Sequence, residues 1–74
     1  MILLYQRNRL NRTARLTYRY LMEYRLSKAA ELLRETDEPV SVIAAETGFN
    51  HLSYFGKCFR EKTGLSPSEY RKRR

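Results

Sequence analysis

Asn50, His51, Ser53, Tyr54 and Lys57 crowd one stretch of this chain, and each carries a group that gives or takes hydrogen bonds. At about 100° per residue, Asn50, Ser53, Tyr54, Lys57 and Glu61 fall on one side of a helix. Leu52, Phe55 and Phe59 fall on the other, with Cys58 at its edge. A polar row of this kind can bond base edges or phosphates, and Lys57 can reach a guanine edge or a phosphate from the same groove. The same periodicity also describes an ordinary solvated face. His51, at the margin of the row, reads either as a phosphate or base contact or as a solvated helix-start residue. Other chemistry finds little footing. His51 and Cys58 are the sole histidine and cysteine, neither has a spaced partner for a metal site or a triad, and there is no glycine-rich phosphate loop. The chain reads as no enzyme, with no metal and no cofactor. A single cysteine beside Phe59 cannot close an intrachain disulfide and reads as a small buried hydrophobe.

The elements that must hold this row are short. Pro39 resists continuing a helix, Ser41 is a natural N-cap, and Val42, Ile43, Ala44 and Ala45 supply a small apolar face. Gly48 can take the positive φ that ends this helix and turns the chain sharply, and Phe49 can plug the angle that results. Asn50 is then a cap for a second helix running to Gly64. Ser66, Pro67 and Glu69 follow as an N-cap, a proline at the first helical position and a glutamate placed to return the capping bond, so a short last helix carrying Tyr70 is expected. Two helices meeting at one tight turn are the skeleton of a helix-turn-helix, and the fold class is all-α.

Upstream, Tyr18, Leu21, Met22, Leu26, Ala29, Leu32 and Leu33 form one wide apolar stripe, with Glu23, Ser27, Lys28, Glu31 and Glu35 opposite. The expected organisation is a basic arm over 1–16, a long amphipathic linker helix over 17–37, and a helix-turn-helix unit with a basic tail over 38–74. The downstream unit covers one flank of the stripe and leaves its N-terminal half bare. Ile2, Leu3 and Leu4 could fold back over it, two chains could pair through it as a homodimer, which is the preferred outcome, or the helix could fray.

Charge is uneven. Of a net +7, residues 1–16 carry four arginines and no acid, 17–38 four bases against five acids, 39–66 three against two, and 67–74 four against one. Basic ends suit phosphates, whose counterions they release, though they also attract other polyanions. Met1 to Leu4 is too short for a signal-peptide core or a membrane span, so a cytoplasmic protein with no membrane association is expected.

The spaced residues also carry a resemblance. Val40-Ser41-Val42-Ile43-Ala44, Gly48-Phe49-Asn50, Ser53-Tyr54-Phe55, Phe59-Arg60, Thr63-Gly64-Leu65-Ser66-Pro67 and Tyr70-Arg71 resemble the second helix-turn-helix unit of the AraC/XylS family of bacterial transcription regulators. Tyr18 to Asp37 is similar to the helix that joins it to a first unit. Roughly three-quarters of the chain is covered. The resemblance implies a reader of double-stranded DNA that lays the helix after Gly48 in the major groove, with Asn50, His51, Ser53, Tyr54 and Lys57 as groove contacts. Ser41 and the amides of the first helix would hold phosphate, and Lys62, Arg71 and Arg73 are weaker phosphate candidates; Arg71 to Arg74 read equally as a solubilising tail. Residues 1–16 are too few for a complete first unit. A faint repeat at an offset of fifty, Tyr5 with Phe55, Arg7 with Lys57 and Arg12 with Lys62 among its pairs, makes them a vestige of a first recognition helix or else an acquired arm. No small-molecule effector is inferred. An alternative function is a protein-interaction module pairing through the exposed stripe, with weak or non-specific DNA binding. A cationic membrane-surface peptide is disfavoured by Glu23, Glu31 and Glu35 on the polar face.

Overall fold

Nothing between Met1 and Glu38 is a proline or a glycine, so no residue there forces the backbone out of a helix. The structure, a computed structural model, describes residues 2–74, with side chains from Tyr18 onward. In it the first helix, α1, runs from Ile2 to Glu35. The linker helix expected over 17–37 therefore starts fifteen residues earlier than its pattern of apolar residues alone indicated, and it stops two residues sooner. At about 1.5 Å per residue it is some 50 Å long and accounts for the 53 Å long axis of the molecule. The vestigial recognition helix in 1–16, and the cover by Ile2, Leu3 and Leu4, concern side chains outside the described residues.

Three short helices follow: α2 (Val40–Glu46), α3 (Leu52–Thr63) and α4 (Pro67–Lys72). The start of α2 corrects one expectation. Pro39, with φ −56° and ψ 145°, is the N-cap, and its carbonyl accepts from the amides of Val42 and Ile43 at 3.0 and 3.1 Å. The fixed proline φ starts the first turn early, which leaves Ser41 inside the helix as an exposed second residue. Only Ile43 and Ala44 of the apolar run are buried; Val42 and Ala45 face out, because one face of a two-turn helix has room for no more.

The turn closes with two backbone bonds, Gly48 N–H to Ala45 O at 3.1 Å and Phe49 N–H to Ala44 O at 2.9 Å. Together they satisfy carbonyls that α2 would otherwise leave unpaired. Gly48 makes this possible at φ 93°, and a Cβ there would also lie 2.8 Å from Arg25 Nε. Phe49 turns inward as expected. The cap of α3 is His51 rather than Asn50, and its side chain makes no capping bond. Gly64 ends α3 at φ 82°. The last start signal is realised in full: Glu69 N–H donates to Ser66 Oγ at 3.2 Å and Ser66 N–H to Glu69 Oε1 at 2.9 Å, with Pro67 buried behind them.

Leu26, Ala29 and Leu33 of α1 meet Ile43, Ala44, Phe49, Phe55 and Phe59 in one core. Phe49, Phe55, Phe59 and Tyr70 make a chain of rings with centroid steps of 5.0, 5.7 and 5.1 Å, each at a tilt that brings ring edges toward ring faces. Beyond Tyr70 the basic tail folds back on the end of α1. Arg34 donates to Tyr70 Oη at 2.6 Å, Arg71 Nε to Leu33 O at 3.3 Å, Arg71 Nη2 to Thr36 O at 3.2 Å, and Arg74 Nη1 to Thr36 O at 2.8 Å. Arg74 also pairs with Asp37. Guanidinium groups thus meet the carbonyl end of a helix, where its dipole is negative.

Ser66→Ala is expected to cost about 1 kcal/mol in urea denaturation through loss of the cap. The Ser66 amide and hydroxyl hold the Glu69 carboxyl below its ordinary value. A depressed carboxylate contributes stability above its unfolded value and loses it as pH falls through the folded one. Glu69→Gln should therefore flatten the fall of the melting temperature below about pH 4.3.

Candidate nucleic-acid interface

Burial fixes the rotation of α3. Phe55 and Phe59 are fully buried against α1 and α2, so at about 100° per residue Lys57 points directly away from the core. Ser53 and Arg60 flank it one turn to either side, and all three are exposed. Among the described residues, the side chains of Ser53 and Lys57 make no hydrogen bond or ion pair, leaving their polar groups free for an outside partner. Arg60 was not among the expected contacts. Its spacing, three residues after Lys57 and seven after Ser53, was sufficient to place it there. Asn50 and His51 are exposed in the turn that leads into this face, and Ser41 is exposed at the start of α2.

Other expected residues lie apart from this group. Leu52, expected in the core with Phe55 and Phe59, is 51% exposed. It is the first residue of α3 and is not among the side chains packed against the core. Tyr54 leans toward α1: its hydroxyl shares a 2.6 Å hydrogen bond with that of Tyr18, and its ring lies 6.2 Å from Phe49. The bond to Tyr18, and then one to Cys58, push the Tyr54 phenol above its ordinary value. Tyr54 thus closes one side of an open cleft of about 560 Å³ between α1 and α3, which Met22, Leu26, Cys58, Glu61 and Lys62 also line. Lys62 belongs to that cleft and points away from Lys57. Cys58, expected to be buried, is half-buried at the core's edge. Arg71 is committed to the carbonyls of Leu33 and Thr36, while Arg73 is exposed at the end of α4. The guanidiniums of Arg71 and Arg74 are engaged, so these two residues are not a free tail.

Among the described residues no three His, Cys, Asp or Glu side chains gather where they could hold a metal. No helix among them is long and apolar enough to cross a membrane.

A short helix, a glycine turn and a second helix with one dry and one free polar face define a helix-turn-helix unit, here mounted on the end of a long helix. A family model described as a helix-turn-helix domain matches residues 4–73, and the chain belongs to the AraC/XylS family of helix-turn-helix transcription regulators. It is 46% identical over 54 residues to the HTH-type transcriptional activator RhaR of Pectobacterium carotovorum, an alignment covering 73% of this chain and 19% of that protein. It is 46% identical over 56 residues to the HTH-type transcriptional activator RhaS of an Enterobacter species, covering 76% of this chain and 20% of that one. An uncharacterized HTH-type transcriptional regulator of Bacillus subtilis, YdeC, is 34% identical over 68 residues, covering 92% and 22%. The chain thus spans about a fifth of the length of these relatives. No solved structure gives a significant match.

Tyr18→Phe removes the strongest influence on the Tyr54 phenol. Its titration, followed by ultraviolet absorbance, should move down toward the ordinary value near 10. A phenol raised by folding contributes stability below its unfolded value and loses it as pH rises through the folded one. At neutral pH, loss of the bond should therefore register as a small drop in melting temperature.

Proposed function

We propose that this chain binds double-stranded DNA in a sequence-dependent way, with α3 in the major groove, and that it serves transcription regulation in the cytoplasm without enzymatic activity, cofactor or small-molecule effector of its own. The observation that carries this is the free polar face of α3, with Lys57 opposite the buried Phe55 and Phe59. Ser53 and Lys57 reach base edges, and Asn50 and His51 meet the groove wall at the entry of the helix. Arg60 adds a cation to the same face. Ser41 and Arg73 are the flanking phosphate contacts; Lys62 is left out because it points into the cleft beside α1, and Arg71 because it holds α1. Tyr54 contributes its ring and positions α3 through Tyr18. The identity to RhaR and RhaS, described as transcriptional activators, supports the reading, as does the net charge of +7.

A second reading has its own observation. Tyr20, Leu21 and Tyr24 are exposed on one side of α1, ahead of the segment that packs on the core, a patch of large side chains that suits pairing with another protein or a second copy. Pairing would also help DNA binding, since a single module covers only about 600–1,000 Å² of protein surface. Tyr20→Glu/Tyr24→Glu should then convert a dimer to a monomer in sedimentation velocity, whereas a wild-type chain that already sediments as a monomer alone removes the homodimer.

The primary test is selection from a random duplex library by the wild-type protein beside Lys57→Ala. Lys57→Ala is expected to bind the enriched motif about 1–3 kcal/mol more weakly and to relax preference at one position. An unchanged motif with a flatter salt dependence makes Lys57 a backbone contact. No enrichment by either protein defeats the sequence-dependent reading.

A further inference from the structure

Two residues of α3 are poor choices for the stability of this chain taken alone. Leu52 leaves half of its side chain in water. Gly56 sits inside a twelve-residue helix, where glycine is unfavourable relative to alanine because it loses more backbone freedom on folding. Neither reason that usually retains a glycine applies here: its φ is not positive, and a Cβ built on it meets nothing within 4 Å. Its missing side chain therefore makes room for nothing among the described residues. Leu52, Gly56 and Arg60 stand four residues apart in turn, so they form one row up the helix. The row slants toward the Ser53 and Lys57 face and meets it at Arg60. An exposed apolar group, a bare stretch of backbone and an exposed cation thus follow one another over three turns.

Resting on the DNA reading above, we infer that this row is a second line of contact with the duplex, one that sets specificity by shape and methyl contact. Leu52 lies against the C5-methyl of a thymine, the one apolar group that the major groove displays. Gly56 lets the sugar-phosphate wall come within contact of the α3 backbone, and Arg60 meets a phosphate on that wall. The occupant is duplex DNA rather than an apolar protein surface, because the row ends in Arg60 and adjoins Lys57.

The test scans the selected duplex with deoxyuridine in place of thymine, one position at a time, which removes a single methyl per probe. Wild-type protein should lose about fourfold in affinity at one position, the worth of one buried methyl, and Leu52→Ala should be indifferent to that same probe. Gly56→Ala should melt a few degrees higher and yet bind the duplex at least about tenfold more weakly. Circular dichroism controls for folding of both variants. A uridine scan unaltered in Leu52→Ala, or full affinity in Gly56→Ala, overturns the row; if Lys57→Ala still loses binding in the same assay, the broader reading of α3 survives. Wild-type affinity in Lys57→Ala together with either of these results overturns both.

Discussion

Phe55 and Phe59 have to be dry, and most of the structure depends on that requirement. Two fully buried rings one turn apart on α3 leave the helix only one rotation about its axis. Ala29, also fully buried, is small enough to let α1 approach the aromatic side, while Leu26 and Leu33 close around it. The polar face then follows from the same geometry, because a helix whose dry side is fixed has its wet side fixed as well. Core and candidate interface are therefore one constraint seen from two sides. A change that rotates α3 by even part of a turn would expose a phenylalanine and withdraw Lys57 together.

The second support is electrostatic and sits at the other end of the unit. The last carbonyls of α1 lack helical partners, and Arg71 and Arg74 supply donors from the far end of the chain. Tyr70 ties both arrangements together, its ring edge-on to Phe59 and its hydroxyl accepting from Arg34. The basic tail is thus partly a structural clasp, which explains why counting its charges overstates what it can offer to phosphate. By contrast Lys57, Arg60 and Arg73 are few in number but uncommitted. The cleft bounded by Tyr18 and Tyr54 lies on the opposite side of the core from this clasp, toward the N-terminal side of α1, and there α1 runs on past the unit that covers it.

Much of the fold was legible because its signals are local. Gly48 and Gly64 announce positive φ by lacking a Cβ, and the Ser66, Pro67, Glu69 set encodes a helix start within four residues. The amphipathic pattern of α3 likewise exposed Ser53 and Lys57 in advance. Failures came where two local signals competed or where a long-range contact decided. Ser41 and Asn50 are both good caps, yet Pro39 starts α2 first and the turn carries α3 on to His51. For Leu52 the periodicity was wrong about burial: it sits at the first residue of the helix, outside the packed core.

By itself the sequence determined the all-α class, the position of the turn between α2 and α3, the aromatic positions of the core and the capping box of α4, because each depends on backbone preference or on helical period within a few residues. Tertiary structure alone decided which cations remain free. Arg71 and Arg60 are both arginines eligible for phosphate, and only the folding of the tail against Leu33 and Thr36 separates the one that holds α1 from the one that faces out. Nor could periodicity assign Tyr54 to Tyr18, thirty-six residues away. A hydrogen bond between distant residues depends on where helices cross, and crossing is set by packing rather than by any pattern along the chain.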